Sequence, residues 1–390
     1  MNTVKAFTFL TATILTFAGF GCATASKGGK ASPPPALERL DAAKATADAE
    51  KKLNWFDARL LGIEGQGWTD VESPYDRLPS RAKGVVRDPV WSLSKDSAGL
   101  CVRFVTDSPN VWVRWKLNSA NLAMDHMPAT GVSGVDLYAR DGAAWKWVGI
   151  GRTKGSDLNQ EAQVVNTAPA GQHEFVLYLP LYNGVESAAI GVNADAFLAK
   201  AAARPAAKSK PVVVYGTSIT QGGCASRPGM VYTSILSRRM GYPFINLGFS
   251  GNGPMEAELV TFMTEIDAAA YVLDCLPNMN TANVKERVEP AVKILREKRP
   301  DTPIIFVEDI TRSGVWFYAE RQTTLDEKNA ALRAAYDKLV AHGVKGLYYV
   351  QGEKLLGDTT ESTVDGTHPT DVGFISYADA VEPVLRRALW

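Results

Sequence analysis

From Pro211 onward, short apolar runs alternate with longer amphipathic stretches, and this alternation constrains the fold more than any other feature of the chain. PVVVY at 211–215, FINLG at 244–248, AAYVLDC at 269–275, TPIIFVED at 302–309 and KGLYYV at 345–350 read as buried strands. Between them lie helical patterns at 230–241, about 255–265, 282–298 and 323–341, and a last one at 371–388. Apolar strands separated by helices predict a parallel sheet covered on both faces, an α/β fold. In such sheets ligands bind beyond the carboxyl ends of the strands, so chemistry is to be sought there.

Residues 54–198 follow a different rhythm. CVRFVT at 101–106, VWVRWKL at 111–117, VDLYAR at 135–140, WKWVGI at 145–150 and EFVLYLP at 174–180 are short runs bounded by turn residues. Several alternate apolar and polar positions, as half-buried strands do, which predicts a β-sandwich of jelly-roll type. Seven of the nine tryptophans fall in this half: Trp55, Trp68, Trp91, Trp112, Trp115, Trp145 and Trp147. Exposed, they would stack on sugar rings; filling the sandwich core is the commoner fate of such side chains. A small-residue, basic stretch at 199–210 reads as the connector, leaving 211–390 for the α/β domain.

The first 22 residues carry Lys5 and then an uncharged, apolar and small-residue stretch from Ala6 to Gly21, the pattern of an export signal. Gly19-Phe20-Gly21-Cys22 resembles a bacterial lipoprotein processing site, with Gly19 where Leu is usual. Lipidation at Cys22, or ordinary cleavage near Ala23–Ser26, would place the mature protein at the cell surface, in the periplasm or outside the cell. Residues 23–53, with Pro33-Pro34-Pro35 and a helix-forming run, read as a tether. Lys+Arg and Asp+Glu both number 42, and no basic run stands out, so neither nucleic acid nor an anionic membrane surface is expected as a partner. Beyond Cys22 the cysteines are Cys101, Cys224 and Cys275; Cys224 and Cys275 either pair or stay as buried thiols. No Cys/His spacing matches a zinc motif, and no metal is expected.

Candidate chemistry gathers at strand ends. Gly216-Thr217-Ser218 follows the first strand and opens toward a helix, which would expose Ser218 and hold it rigidly. A serine hydroxyl is a poor nucleophile until a base takes its proton, and His is the usual base near neutral pH. The chain has four histidines, and only His368 lies in the α/β half behind an Asp, in Asp365-Gly366-Thr367-His368-Pro369. Asp365 would orient that imidazole; the plainer reading is an Asp capping a turn beside a solvent-facing His. Gly251, in Ser250-Gly251-Asn252, and Asn278, in Pro277-Asn278-Met279, follow the second and third strands and offer donors to a developing oxyanion.

In register, these blocks resemble the SGNH/GDSL hydrolase superfamily over about Pro211 to Trp390, and Gly134-Val135-Asp136-Leu137-Tyr138 resembles the Gly-x-Asp-Leu-Tyr N-terminal domain of one bacterial branch. Thr217 stands where the superfamily has Asp, and Pro277-Asn278-Met279 where it has Gly-Asn-Asp. The resemblance implies a flavodoxin-like three-layer domain and a serine esterase with Ser218, His368 and Asp365 as its triad. It also implies an oxyanion hole of the Ser218 and Gly251 N–H groups with the Asn278 amide, and no cofactor. The implied substrates are small acyl esters, acetyl above all, on polysaccharides. Alternatives are a lipase- or thioesterase-like enzyme, and a non-catalytic surface lipoprotein that binds carbohydrate.

Overall fold

The computed structural model describes residues 37–390. The segment read as an export signal, its Cys22 and the prolines at 33–35 lie outside the described residues. No helix among the described residues is long and apolar enough to cross a membrane.

The first half is a sandwich of two antiparallel sheets. One runs Thr46–Asp48, Leu53–Asp57, Val185–Asn193, Val111–Leu117 and Asn159–Val165; the other runs Leu198–Lys200, Cys101–Thr106, His173–Tyr178, Val135–Asp141 and Ala144–Gly151. Along Val111–Leu117 every second residue is buried, so Val111, Val113, Trp115 and Leu117 all point inward. They meet Val102, Phe104, Leu137, Phe175 and Leu177 from the facing sheet. Trp68 and Trp115 are buried and fill cores; Trp55 is buried on the outer face of its sheet beneath Arg114, and Trp147 is 49% exposed.

Two expectations shift. The tether read as ending at residue 53 instead enters the fold: Thr46–Asp48 pairs with Leu53–Trp55, and the Leu40 N–H donates to the Leu198 carbonyl. Helix-forming composition yields here to an unpaired sheet edge that offers the backbone partners. Leu198–Lys200, partly inside the expected connector, is likewise a strand on Phe104–Thr106. Asn159–Val165 and Val185–Asn193 are strands that the apolar pattern did not reveal, being rich in small and polar residues.

The second half has a five-stranded parallel sheet with Phe244–Gly248 outermost, then Val212–Gly216, Ala270–Asp274, Ile304–Val307 and Leu347–Val350. Numbered along the chain this is order 2-1-3-4-5, the doubly wound arrangement whose chain reversal opens a crevice beside the first strand. The first four strands are buried throughout, as expected for a sheet covered on both faces. Tyr232–Met240 and Asp371–Leu389 pack on one face; Ala257–Met263, Thr281–Lys298 and Ala319–Ala341 pack on the other.

The halves interlock. Between the sandwich strands, residues 65–98 leave to cover the parallel sheet, placing Trp68, Leu78, Val86 and Val90 in one core with Tyr215, Leu247 and Phe262. Asp136, in the Gly-x-Asp-Leu-Tyr block, is fully buried and accepts hydrogen bonds from Arg227 Nη1 at 2.8 Å, the Gly229 N–H at 2.9 Å and Trp147 Nε1 at 2.9 Å. Burial pushes its carboxyl above the ordinary value, and the Arg227 charge works against that push. A buried carboxylate needs such partners, so this aspartate acts as a bolt between domains.

Candidate active site

Ser218 opens a one-turn helix, Ser218–Gln221, two residues beyond the strand Val212–Gly216. Thr217 caps the turn by accepting from the Ile219 N–H at 3.3 Å, a task an Asp there would also perform. The Ser218 N–H therefore sits at a helix start, where backbone donors have no intrahelical partner. His368 comes from the loop before Asp371–Leu389, and its Nε2 lies 2.8 Å from Ser218 Oγ. Its Nδ1 lies 2.7 Å from Asp365 Oδ2. The arrangement requires Nδ1–H to donate to the carboxylate, leaving the Nε2 lone pair to accept from the serine hydroxyl.

The loop itself holds Asp365 in place. Asp365 Oδ1 accepts the Thr367 and His368 N–H groups at 3.0 and 2.8 Å, and the Val364 N–H closes the loop on the His368 carbonyl at 2.9 Å. Partial burial pushes the Asp365 pKa upward, but the backbone and side-chain hydrogen bonds of His368 and Thr367 prevail and lower it to about 2. The carboxylate is thus ionised at any working pH.

The other predicted donors lie at the same sheet edge. Gly251 is three residues past Phe244–Gly248, with φ +67° and open space around its Cα. Gly253, at φ +78°, passes so close to the first strand that a Cβ would lie 2.0 Å from the Gly216 carbonyl oxygen. Only glycine permits both that backbone conformation and that approach. Asn278 ends the short turn Leu276–Asn278 and donates from Nδ2 to the Asn252 carbonyl at 2.7 Å. An amide nitrogen carries two hydrogens, so one anchors Asn278 to the glycine turn and the second stays available to a ligand.

Several groups behind these residues gave no signal in the sequence. Gln221 Oε1 accepts the Ser250 N–H at 2.9 Å, while its Nε2 donates to Asp96 Oδ2 at 2.9 Å and the Leu181 carbonyl at 3.1 Å. Tyr182 donates its hydroxyl to the Ser218 carbonyl at 3.1 Å. Asp96, Leu181 and Tyr182 belong to the sandwich half, so that half supports the Ser218 turn from behind. Burial raises the Asp96 carboxyl to about 6, against the pull of Arg77 and Gln221. His126 and Cys224 flank His368, and the three offer metal-ligating atoms within 4.8 Å of one another. Cys101, Cys224 and Cys275 are buried free thiols, which resolves the pairing question. The segment Arg312–Tyr318 adjoins the histidine loop through a 2.7 Å hydrogen bond from Thr363 to Ser313, with Trp316 and Phe317 at 77% and 69% exposed.

Comparison with known proteins agrees with this layout. Residues 209–386 match the GDSL-like lipase/acylhydrolase family, and residues 53–198 match GxDLY, the N-terminus of SGNH-hydrolase-type esterases. No curated protein matches the sequence. A crystal structure described as a GDSL-like lipase from Bacteroides ovatus is 35% identical, covers 86% of this chain and 98% of its own, and superposes with a TM-score of 0.81. The salicylyl-acyltransferase SsfX3 from a tetracycline biosynthetic pathway shares the fold at 19% identity, covering 88% of this chain and 96% of its own with a TM-score of 0.69. A family two carbohydrate esterase from Cellvibrio japonicus shares it at 13% identity, over 86% of this chain and 98% of its own, at 0.57. With a sandwich of GxDLY type joined to a doubly wound sheet, and a relative matched across nearly its full length, the chain belongs to the GDSL-like lipase/acylhydrolase family of SGNH hydrolases.

Proposed function

We propose that the protein is a serine esterase that removes small acyl groups, acetyl foremost, from polysaccharides outside the cytoplasm. The observation that carries this reading is the unbroken path from Ser218 Oγ to His368 Nε2 at 2.8 Å and from His368 Nδ1 to Asp365 at 2.7 Å. His368 takes the Ser218 proton as the oxygen attacks the ester carbonyl. Negative charge on the former carbonyl oxygen is received by the Ser218 and Gly251 N–H groups and the free N–H of Asn278. Collapse expels the sugar alkoxide, which takes the proton from His368, and leaves an acyl-Ser218. Water, deprotonated by the same imidazole, then releases the carboxylic acid and restores the serine.

Two features support a glycan ester as substrate. The fold is shared with a carbohydrate esterase, and the export signal with Cys22 in its processing context suits an enzyme held near large, extracellular polymers. The test is hydrolysis of chromogenic acetate and octanoate esters, followed by acetate release from a panel of acetylated glycans. The reading predicts preference for acetate and release from at least one glycan. Preference for octanoate would point to a lipase-like enzyme, and glycan binding without turnover to a non-catalytic role.

A further inference from the structure

Three metal-ligating side chains from distant parts of the chain converge beside Ser218. One ring nitrogen from each of His126 and His368 and the Cys224 sulfur lie within 4.8 Å of one another. The imidazole centroids are 5.5 Å apart and the rings tilt by 51°. Each ring has its Nδ1 on a carboxylate: His126 on Asp125 Oδ1 at 2.7 Å and His368 on Asp365 Oδ2 at 2.7 Å. A carboxylate on one nitrogen fixes the tautomer that presents the other as a lone pair, the arrangement that stands behind metal-bound histidines. Both rings are therefore set up to ligate through Nε2. Cys224 is held beside them with φ +69°, unusual for a residue with a side chain, and its thiol donates to the His126 carbonyl at 3.3 Å.

We propose that His126, Cys224 and His368 form a site for one divalent cation of the zinc class, and that its binding reversibly shuts off the esterase. Two imidazoles and a thiolate make a nitrogen-sulfur set that zinc favours, with water as a fourth ligand. Tetrahedral bonds of ~2.0 Å to nitrogen and ~2.3 Å to sulfur place ligand atoms roughly 3.5 Å apart. The donors must thus close by about 1 Å on binding. On binding, Cys224 gives its thiol proton to solvent and His368 Nε2 gives the metal the lone pair that otherwise receives the Ser218 proton. Metal occupancy and catalysis therefore exclude each other. The inhibition rests on the esterase reading; the metal site itself does not.

The full chain, stripped of metal, is titrated with cobalt(II) and followed by absorption, and acetate ester hydrolysis is measured against zinc with and without EDTA. One equivalent of cobalt should produce a thiolate charge-transfer band that is missing in Cys224→Ser. Zinc should abolish hydrolysis and EDTA restore it. Measured against each variant's own metal-free rate, His126→Gln and Cys224→Ser should need at least ~10-fold more zinc for the same fractional inhibition. His126 is on an exposed loop, so its variant remains informative if Cys224→Ser fails to fold. A cobalt titration without the band, or zinc inhibition unchanged in His126→Gln, overturns the proposal. A chain that gives the band yet hydrolyses no ester would uphold the metal site and refute the esterase.

Discussion

Arg77 is a sandwich-half residue whose loss should be felt at the turn that bears Gly251. Its side chain is fully buried and donates to four carbonyls: Asp96 at 2.8 Å, Leu93 at 2.6 Å, Asn246 at 3.1 Å and Gly248 at 2.6 Å. The guanidinium also lies 4.9 Å from the centroid of Phe249. Burial lowers its pKa to about 10, with Asp96 pulling the other way, so it stays charged at neutral pH. Arg77→Met keeps much of the apolar volume and removes all four donors. Leaving a buried carbonyl without a donor costs roughly 1–3 kcal/mol; the Leu93 carbonyl keeps the Asp96 N–H, so the two fully buried carbonyls, Asn246 and Gly248, predict a loss of about 2 kcal/mol at the low end of that range. Gly248 leads directly into the turn bearing Gly251, and a shift of about 1 Å in an oxyanion donor costs on the order of 100-fold in rate. Urea unfolding followed by tryptophan fluorescence reads the first quantity, and acetate ester kinetics on the folded variant read the second, as a fall in kcat larger than any change in KM. An Arg77→Met variant within about 1 kcal/mol of the parent and with parental kcat would refute the reasoning.

Asn278→Ala should lower kcat about 100- to 1000-fold with little change in KM, because the proposed oxyanion hole loses one donor; steady-state kinetics on acetate esters check this. Asp365→Asn should cost roughly 1000- to 10000-fold by disturbing the imidazole tautomer. Because the Asp365 pKa is depressed to about 2, its ionised form is lost only as pH falls through that value, so the parental rate profile should show no Asp365 step between pH ~4 and ~8. Asp274 behaves in the opposite sense: burial raises its carboxyl from 3.8 to about 6, against hydrogen bonds from Tyr232, Tyr377 and Thr220. The folded state keeps a proton that the unfolded chain has lost, so this group's contribution to stability falls as pH rises from ~4 to ~6, by roughly 3 kcal/mol. The stability difference between the parent and Asp274→Asn, measured by urea unfolding, should move by that amount across the window; a constant difference would contradict it.

The parts of the fold that were legible in the sequence are those where one short stretch contains its own cause. Buried parallel strands such as Val212–Gly216 read as unbroken apolar runs because both faces are covered. Asp365 and His368 were readable as a pair because the loop joining them makes its own hydrogen bonds. Strands such as Val185–Asn193 were hidden, since Gly191 packs on the Trp55 ring and small residues replace the apolar alternation. Residues 65–98 fall within the stretch read as the sandwich, and nothing local shows that Trp68 and Val90 finish the core of the other domain. Arg77, Asp96, Gln221 and Tyr182 act through partners remote in sequence, as when Arg77 reaches Asn246 and Gly248. His126 and Cys224 reach His368 only through the fold, so no spacing motif could gather them.

The central claim is that Ser218 is a nucleophile activated by His368. Treatment with a fluorophosphonate, followed by intact-mass and peptide mass spectrometry, tests it directly. The account predicts a single adduct on Ser218, none in Ser218→Ala, and labelling slowed by orders of magnitude in folded His368→Ala. An adduct on another residue, or undiminished labelling without the imidazole, would contradict it.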